Sequence, residues 1–472
     1  MKLKILIICL LTAIVNVSIA QKSNNDIFIP AGANGKLGFI GPNGTWVVKP
    51  QYDYFDYYDC PKHMQIWDNK YIIVRINDKY GLIDRTGKVI CQPQFDFIDE
   101  FKNGMALVVL NDKYGYISET GKIICKPKFD FARDFAENGL ASVQLGQKYG
   151  YIDKTGKMVI EPQYDMARDF SPNGFACVQL NQKYGFIDKT GKIVIDIKFD
   201  DAKDFTQYGL APVKVDGKWG IIDATGKMVV APQFNSTEYL EHDGTYIVCS
   251  NHKSGYYQDD RKVWSNNSKY GYISRNGKVI CNTQFDYAMP SANGIIRIKL
   301  NEKWGYADTT GKIITPQFDR AGVFSENGLA LVQLNGQYGY IDKTGKMVIN
   351  AQYSQAKPFE DNGLAAVCVN RKWGYIDNTG KMVIEPQFDE VSAFYGGLAK
   401  VKIYEGYAAR WGIIDQTGKF VVDAKYSEYE IELCGGNLIF VCDDNYKWGI
   451  IDKNGNTIMK PQLSWVFRIP MD

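Results

Sequence analysis

Apolar positions along this chain come in short runs of period two, broken by glycine, proline and asparagine, and the arrangement returns about every 34 or 35 residues. One copy shows the logic. In Leu140-Ala-Ser-Val-Gln-Leu145, Ala141, Val143 and Leu145 alternate with Ser142 and Gln144, which predicts a strand with one face buried. Gly146-Gln147 turns the chain into a second strand, Lys148 to Asp153, and Lys154-Thr155-Gly156 turns it again into Met158-Val159-Ile160. A glycine free to adopt positive φ suits a three-residue hairpin loop closed by a bulge. Pro162 has no amide hydrogen to donate to a ladder and is expected to end the third strand. Tyr164, Ala167 and Phe170, three apart, then predict one turn of helix with Asp165 capping its first amides. Asn173-Gly174 reverses the chain into the next copy. The unit is therefore predicted to be a three-stranded antiparallel meander with a short helical connector.

The clearest marker of the period is an aromatic–glycine pair. It occurs at Tyr80-Gly81, Tyr114-Gly115, Tyr149-Gly150, Tyr184-Gly185, Trp219-Gly220, Tyr270-Gly271, Trp304-Gly305, Tyr338-Gly339, Trp373-Gly374, Trp411-Gly412 and Trp448-Gly449, with Leu37-Gly38 a weaker first member. The gap from Gly220 to Gly271 is 51 residues, and Lys253-Ser-Gly-Tyr-Tyr257 inside it reads as a decayed, truncated copy. One such meander is marginal alone. Stacking about a dozen buries their faces continuously, which is how a repeat chain exceeds the size of a single core. The expected fold is all-β, an elongated solenoid-like array of these units; the alternative is one or two β-propellers divided near residues 234–268.

The N-terminus adds a compartment. Lys2 and Lys4 precede an apolar run from Ile5 to Val15, and Ser18-Ile19-Ala20 supplies small residues before Gln21. This is the layout of a cleavable secretory signal, with cleavage after Ala20 and a secreted, periplasmic or envelope-associated product. Cys9, flanked by Ile8 and Leu10, lacks the small neighbours of a lipoprotein signal. No stretch is long and apolar enough for a membrane span. The expected divisions are a signal peptide at 1–20, a short segment at 21–25, a first half of the array at 26–233, the truncated copy at 234–268, a second half at 269–465 and a tail at 466–472.

Losing Lys2 and Lys4 leaves 53 basic residues against 53 acidic ones. A balanced, interspersed surface offers no field for nucleic acid. Nine cysteines remain beyond the signal: Cys60, Cys91, Cys125, Cys177, Cys249, Cys281, Cys368, Cys434 and Cys442. An odd count without short pairings makes a poor disulfide framework. Cys91, Cys125 and Cys281 stand where other copies carry Ile160, Ile195, Ile349 and Ile384, and are expected to be free thiols in the core.

The phrase Lys-Trp-Gly-Tyr-Ile-Asp-x-Thr-Gly-Lys-Met-Val-Ile-x-Pro-Gln-Phe-Asp stands whole at Lys372 to Asp389. It resembles the bacterial WG (or KWG) repeat, and the resemblance runs from about residue 26 to 465. It departs locally, with Leu37 for the aromatic, Ser118 and Ser274 for the strand-ending aspartate, and Asn456 for lysine. What the resemblance implies is an exported or envelope-associated repeat protein from a family whose members mostly lack an assigned activity. A more distant likeness is to cell-wall-binding β-hairpin repeats.

Catalytic material is sparse. His63, His242 and His252 form no metal-ligand spacing, and no nucleophile elbow occurs. Thr-Gly-Lys fails as a phosphate loop, because Gly150 and Gly156-Lys157 have the wrong spacing and Met158 opens a strand. Asp153, Asp188, Asp342 and Asp377 recur once per unit, so they are expected to serve the unit's own structure, since an active site needs its set only once. The expectation is a protein that is not an enzyme, holds no cofactor or metal, and offers a binding or scaffold surface to a protein or to cell-wall or extracellular polysaccharide. The alternative is an accessory to polysaccharide processing with weak activity. Aromatics that stack on sugars are sought in the irregular units, as Tyr54, Tyr57, Tyr58, Tyr256, Tyr257 and Trp264.

Overall fold

Four strands, not three, make the repeating unit. In the unit around Tyr184-Gly185, strand a is Met166–Phe170, strand b Ala176–Leu180, strand c Lys183–Ile187 and strand d Ile193–Phe199, paired antiparallel in that order. The segment expected to be a helical turn is therefore strand a. Its spacing of three comes from a bulge: Ala167 pairs with Val178 and Phe170 with Ala176, so one extra residue brings both back to the same face. Asp165 caps no helix. It sits at the junction where strand d of one unit runs straight into strand a of the next.

Pro162 also departs from expectation, because Met158–Tyr164 runs through it. Pairing jumps from Tyr151–Ile160 to Tyr149–Tyr164, so Glu161, Pro162 and Gln163 all lie opposite Gly150. The proline occupies a bulge, where its missing N–H is not needed. The bulged backbone lies against the glycine: a Cβ on Gly150 would come 2.3 Å from the Ile160 carbonyl oxygen and 2.8 Å from the Pro162 nitrogen. The two predicted turns form as read. Asn181 and Gln182 take φ of 50° and 63° in the b–c hairpin, and Gly156 takes 82° in the c–d turn.

The computed structural model describes residues 29–466, apart from 34, 42–43, 54–69, 240–244, 251–255, 259–260, 264–267, 291–293, 309 and 435–437. Along this length twelve such sheets follow one another, eleven of them four-stranded and one (Tyr71–Ile76, Lys79–Asp84, Val89–Phe95) three-stranded among the described residues. The 51-residue gap is an insertion within one of them. Tyr246–Ser250 pairs directly with Lys269–Ile273, and the separate hairpin Tyr256–Gln258 with Arg261–Val263 fills the b–c turn between them. Residues 234–268 thus form no truncated copy.

The array closes on itself. In the first sheet strands b, c and d are Ile29–Ala33, Lys36–Ile40 and Trp46–Asp53, and strand a is supplied by Trp465–Val466 from the far end of the chain. Ala31 pairs with Val466 and Gly32 with Trp465. The buried residues fall into twelve clusters, each shared by two neighbouring sheets. One joins Ala31 and Ile40 of the first to Leu438, Phe440, Ile450 and Met459 of the last. An open stack of twelve has eleven interfaces; a ring has twelve. The elongated solenoid is overturned, and the fold is a single ring of twelve propeller-like blades. It exceeds the roughly 4–8 blades that close most propellers.

With blades against both faces, strand b does not follow the simple alternation. Ser142 is fully buried while Leu145 is 37% exposed, and the Ser142 hydroxyl donates to the Ala167 carbonyl of the next blade at 3.0 Å. Larger staples recur at this interface. Tyr151 donates to the Arg168 carbonyl at 2.6 Å and packs against Phe170, the rings tilted by 56° with centroids 4.9 Å apart. Tyr116, Tyr306, Tyr340 and Tyr375 repeat the bond, to Arg133, Gly322, Lys357 and Ser392.

Candidate binding groove

The repeated acids serve the ring. In the c–d turn, Asp153 accepts from the Thr155 amide and hydroxyl and the Lys157 amide at 2.9, 2.6 and 3.1 Å. Asp188, Asp342 and Asp377 repeat the pattern, and these bonds, the threonine hydroxyl first, hold their carboxyls below the usual range. A second aspartate ties blade to blade. Asp165 takes Lys148 Nζ at 2.5 Å from the blade before and the Asn181 amide at 2.7 Å from the b–c turn of the blade after. Asp53, Asp96, Asp130 and Asp286 bridge in the same way. Half-buried carboxyls stand on strand a and its continuation: Asp169 and Asp204 are pushed up by desolvation against the pull of Arg133 and Arg168.

One group of departures from the repeat surrounds the tenth blade. Its strands are Gln355–Ala356, Ala365–Val369, Lys372–Ile376 and Met382–Phe388. A groove of about 600 Å³ opens between it and the eleventh blade. The half-buried Trp373 lines it, with Ser354, Gln355 and Arg371 on the tenth-blade side, and Asp389, Glu390 and Val391 across, Asp389 being paired with Lys372 at 2.6 Å. Lys357 Nζ lies 5.7 Å from the Trp373 ring and donates to the Val391 carbonyl at 2.6 Å. Burial draws that ammonium below its usual range. The Trp373 indole N–H and the Arg371 guanidinium meet no partner among the described residues. Beside the groove the eleventh blade carries an elongated hairpin, Leu398–Glu405 with Ala408–Asp415, whose Tyr404 is 54% exposed and whose Tyr407 stands wholly in solvent.

This chemistry is not where the sequence reading sought it. Tyr54, Tyr57, Tyr58 and Trp264 lie outside the described residues, as do His63, His242 and His252. Tyr256 and Tyr257 lie in the inserted hairpin, with only their backbone described. Trp373 went unselected because it occupies a regular repeat position. The available signal was the departure of its neighbours: Gln337 for the usual lysine, Ser354 for the junction aspartate and Arg371 in the turn. Of the cysteines, seven (Cys91, Cys125, Cys177, Cys249, Cys281, Cys368, Cys442) are buried free thiols, Cys91, Cys125 and Cys281 among them as expected.

A family model described as WG containing repeat matches twelve times, from residues 38–80 to 448–469, with a break between 253 and 270 at the inserted hairpin. The chain belongs to the WG containing repeat family. No curated protein matches the sequence. Among solved structures, this WG repeat chain is similar to a eukaryotic initiation factor at 11% identity, over 68% of this chain and 97% of that one, with a TM-score of 0.36. It is also similar to the extracellular domain of a hybrid two component system protein from B. thetaiotaomicron, at 11% identity over 93% and 70%, with a TM-score of 0.27. The WG ring itself is read from its strand pairing and interface clusters. No helix among the described residues is long and apolar enough to cross a membrane.

Proposed function

We propose that this protein is an exported, non-catalytic binding protein whose ring of WG repeats presents a recognition surface to a partner outside the cytoplasm. The observation that carries the reading is the employment of the repeated polar groups. The c–d aspartates close their own turns, the junction aspartates join blades, and the tyrosine hydroxyls donate to neighbouring backbone. What varies from blade to blade is the b–c turn side, where the inserted hairpin, the elongated Tyr404 hairpin and the groove at Trp373 are placed. Rigid rings that carry variable turns suit recognition, and the signal-like N-terminus supports export. The test is a glycan and protein-ligand array probed with the purified chain, run beside a glycoside-cleavage screen. Saturable binding without turnover supports the reading. Turnover that Asp169→Asn or Asp204→Asn abolishes would replace it with a polysaccharide-processing enzyme.

A further inference from the structure

The junction between the ninth and tenth blades lacks a carboxylate that eight of the twelve junctions supply; Asn235, Ser427 and Ser464 replace it at three others, and what sets this one apart is the turn beside it. At the other junctions described above, an aspartate reaches the first amide of the next b–c turn, as Asp53 does to Asn77, Asp96 to Asn111, Asp165 to Asn181 and Asp286 to Asn301, at 2.6–2.8 Å. At the tenth blade that aspartate is Ser354, whose hydroxyl donates instead to the Cys368 carbonyl at 3.4 Å. The lysine that would pair with it is Gln337. The turn it would have held is Asn370-Arg371, with φ of 52° and 65°. The second residue of the equivalent two-residue turns is Gly35, Asp78, Asp112, Gln147, Gln182, Gly217, Glu302, Gly336 or Tyr407; Arg371 alone is basic. The usual aspartate–lysine pair is gone and one positive charge is added at the same notch, which opens into the groove lined by Trp373.

We propose that this notch binds the carboxylate of an acidic saccharide, a uronate, in the place the repeat elsewhere gives to its own aspartate. The Asn370 amide and the Arg371 guanidinium take the carboxylate, a charge-assisted arrangement that arginine's planar fork favours. The part of the half-buried Trp373 ring that lines the groove beside Lys357 offers apolar contact to a pyranose, and its N–H, the Gln355 amide and the Glu390 carboxylate offer partners for hydroxyls. A peptide fits less well, since Trp373 and Val391 are nearly the whole apolar lining. The proposal rests on the reading of the ring as a binding protein and deepens it.

The decisive variant is Ser354→Asp, which installs the residue found at eight of the twelve junctions and fills the notch from within. Arg371→Gly installs the turn residue of Gly217 and Gly336, and Trp373→Leu the residue found at Leu37, so each should fold. Titration calorimetry with galacturonate, glucuronate-containing and mannuronate oligosaccharides, their carboxyl-reduced forms and a poly-glutamate peptide reads the outcome. At least one uronate series should bind, and carboxyl reduction, Ser354→Asp and Arg371→Gly should each weaken it at least tenfold with the melting profile kept. Trp373→Leu should weaken the carboxyl-reduced and native sugars alike. Failure of every uronate series, unchanged binding in Ser354→Asp, or tighter capture of poly-glutamate at the notch overturns the assignment. If Ser354→Asp still binds an array ligand with full affinity, the groove is wrong and the binding-protein reading stands; if the chain binds nothing on the array, both fall.

Discussion

The glycine after the repeat aromatic sets up a sharp perturbation, Gly185→Ala. Gly185 is absent from the positive-φ positions, so alanine meets no dihedral penalty there. By backbone entropy alone the change would stabilise by about 0.4–1 kcal/mol. Sterics oppose it. A Cβ at Gly185 would lie 2.7 Å from the Ile195 carbonyl oxygen and 2.7 Å from both the nitrogen and Cα of Ile197. These are backbone atoms of the strand-d bulge, so no rotamer change relieves the contact. The bulge must move by several tenths of an ångström, in a segment whose flanks are pinned by Tyr184–Phe199 and Phe186–Ile195 pairing. Overpacking of this kind costs roughly 1–3 kcal/mol, leaving a net loss of about 1–2 kcal/mol after the entropy gain. Gly185→Val should lose more, despite valine's preference for strands. Gly322→Ala, whose Cβ would stand 3.1 Å from its nearest neighbour, is the comparison and should lose less. Urea unfolding followed by circular dichroism reads the midpoint and slope. A neutral or stabilising Gly185→Ala at unchanged slope would refute the packing account and leave the aromatic–glycine pair without a structural reason.

Deleting residues 464–472 removes strand a of the first blade, and small-angle scattering should show a larger or self-associating particle, because a sheet edge is left open; an unchanged radius would mean the terminal strand does not hold the ring. Tyr151→Phe removes the donor to the Arg168 carbonyl and should cost about 0.5–1.5 kcal/mol, at the low end because Phe186 fills the equivalent place naturally; urea melts decide it. The junction aspartates are held low, chiefly by their lysine partners, so their contribution is present above the unfolded carboxyl range near pH 4 and is lost as pH falls below it; Asp165→Asn should flatten the acid limb of a stability–pH curve. Asp169 runs the other way. Its folded carboxyl is raised by burial, so its contribution is lost as pH rises, and Asp169→Asn should stabilise the ring at neutral pH in thermal melts. Cys177, pushed up to about 12 by burial, should resist alkylation until the chain is unfolded, as read by mass spectrometry.

How much of this was legible depends on range. The b–c and c–d turns were, because Gly146-Gln147 and Thr155-Gly156 each put a glycine where a tight turn needs positive φ. Strand a was not. A bulge gave Ala167 and Phe170 the spacing of a helix, and only the partner strand shows that the period is extended chain. The role of the junction aspartate was hidden for the same reason: Lys148 and Asn181 lie 17 residues before and 16 after Asp165, in different blades. The groove was hidden more deeply, since Ser354 and Arg371 are ordinary residues until pairing of strands a and b sets one beside the turn of the other, and the next blade closes the groove with Glu390 and Val391.

By itself the sequence determined that the chain is a string of near-identical β units, where their turns fall, and that each must bury its faces against neighbours. Those properties are local, and twelve copies repeat them. Whether the string closes is not local. It depends on the rotation each interface adds, about 30° per blade for twelve in a ring, and on the two ends meeting in register. No residue pattern within one unit encodes that sum. Tertiary structure decided it, by seating Trp465–Val466 beside Ile29–Ala33 and burying Ala31 and Ile40 against the last blade, because the terminal blades otherwise expose the same apolar faces that every interior blade hides.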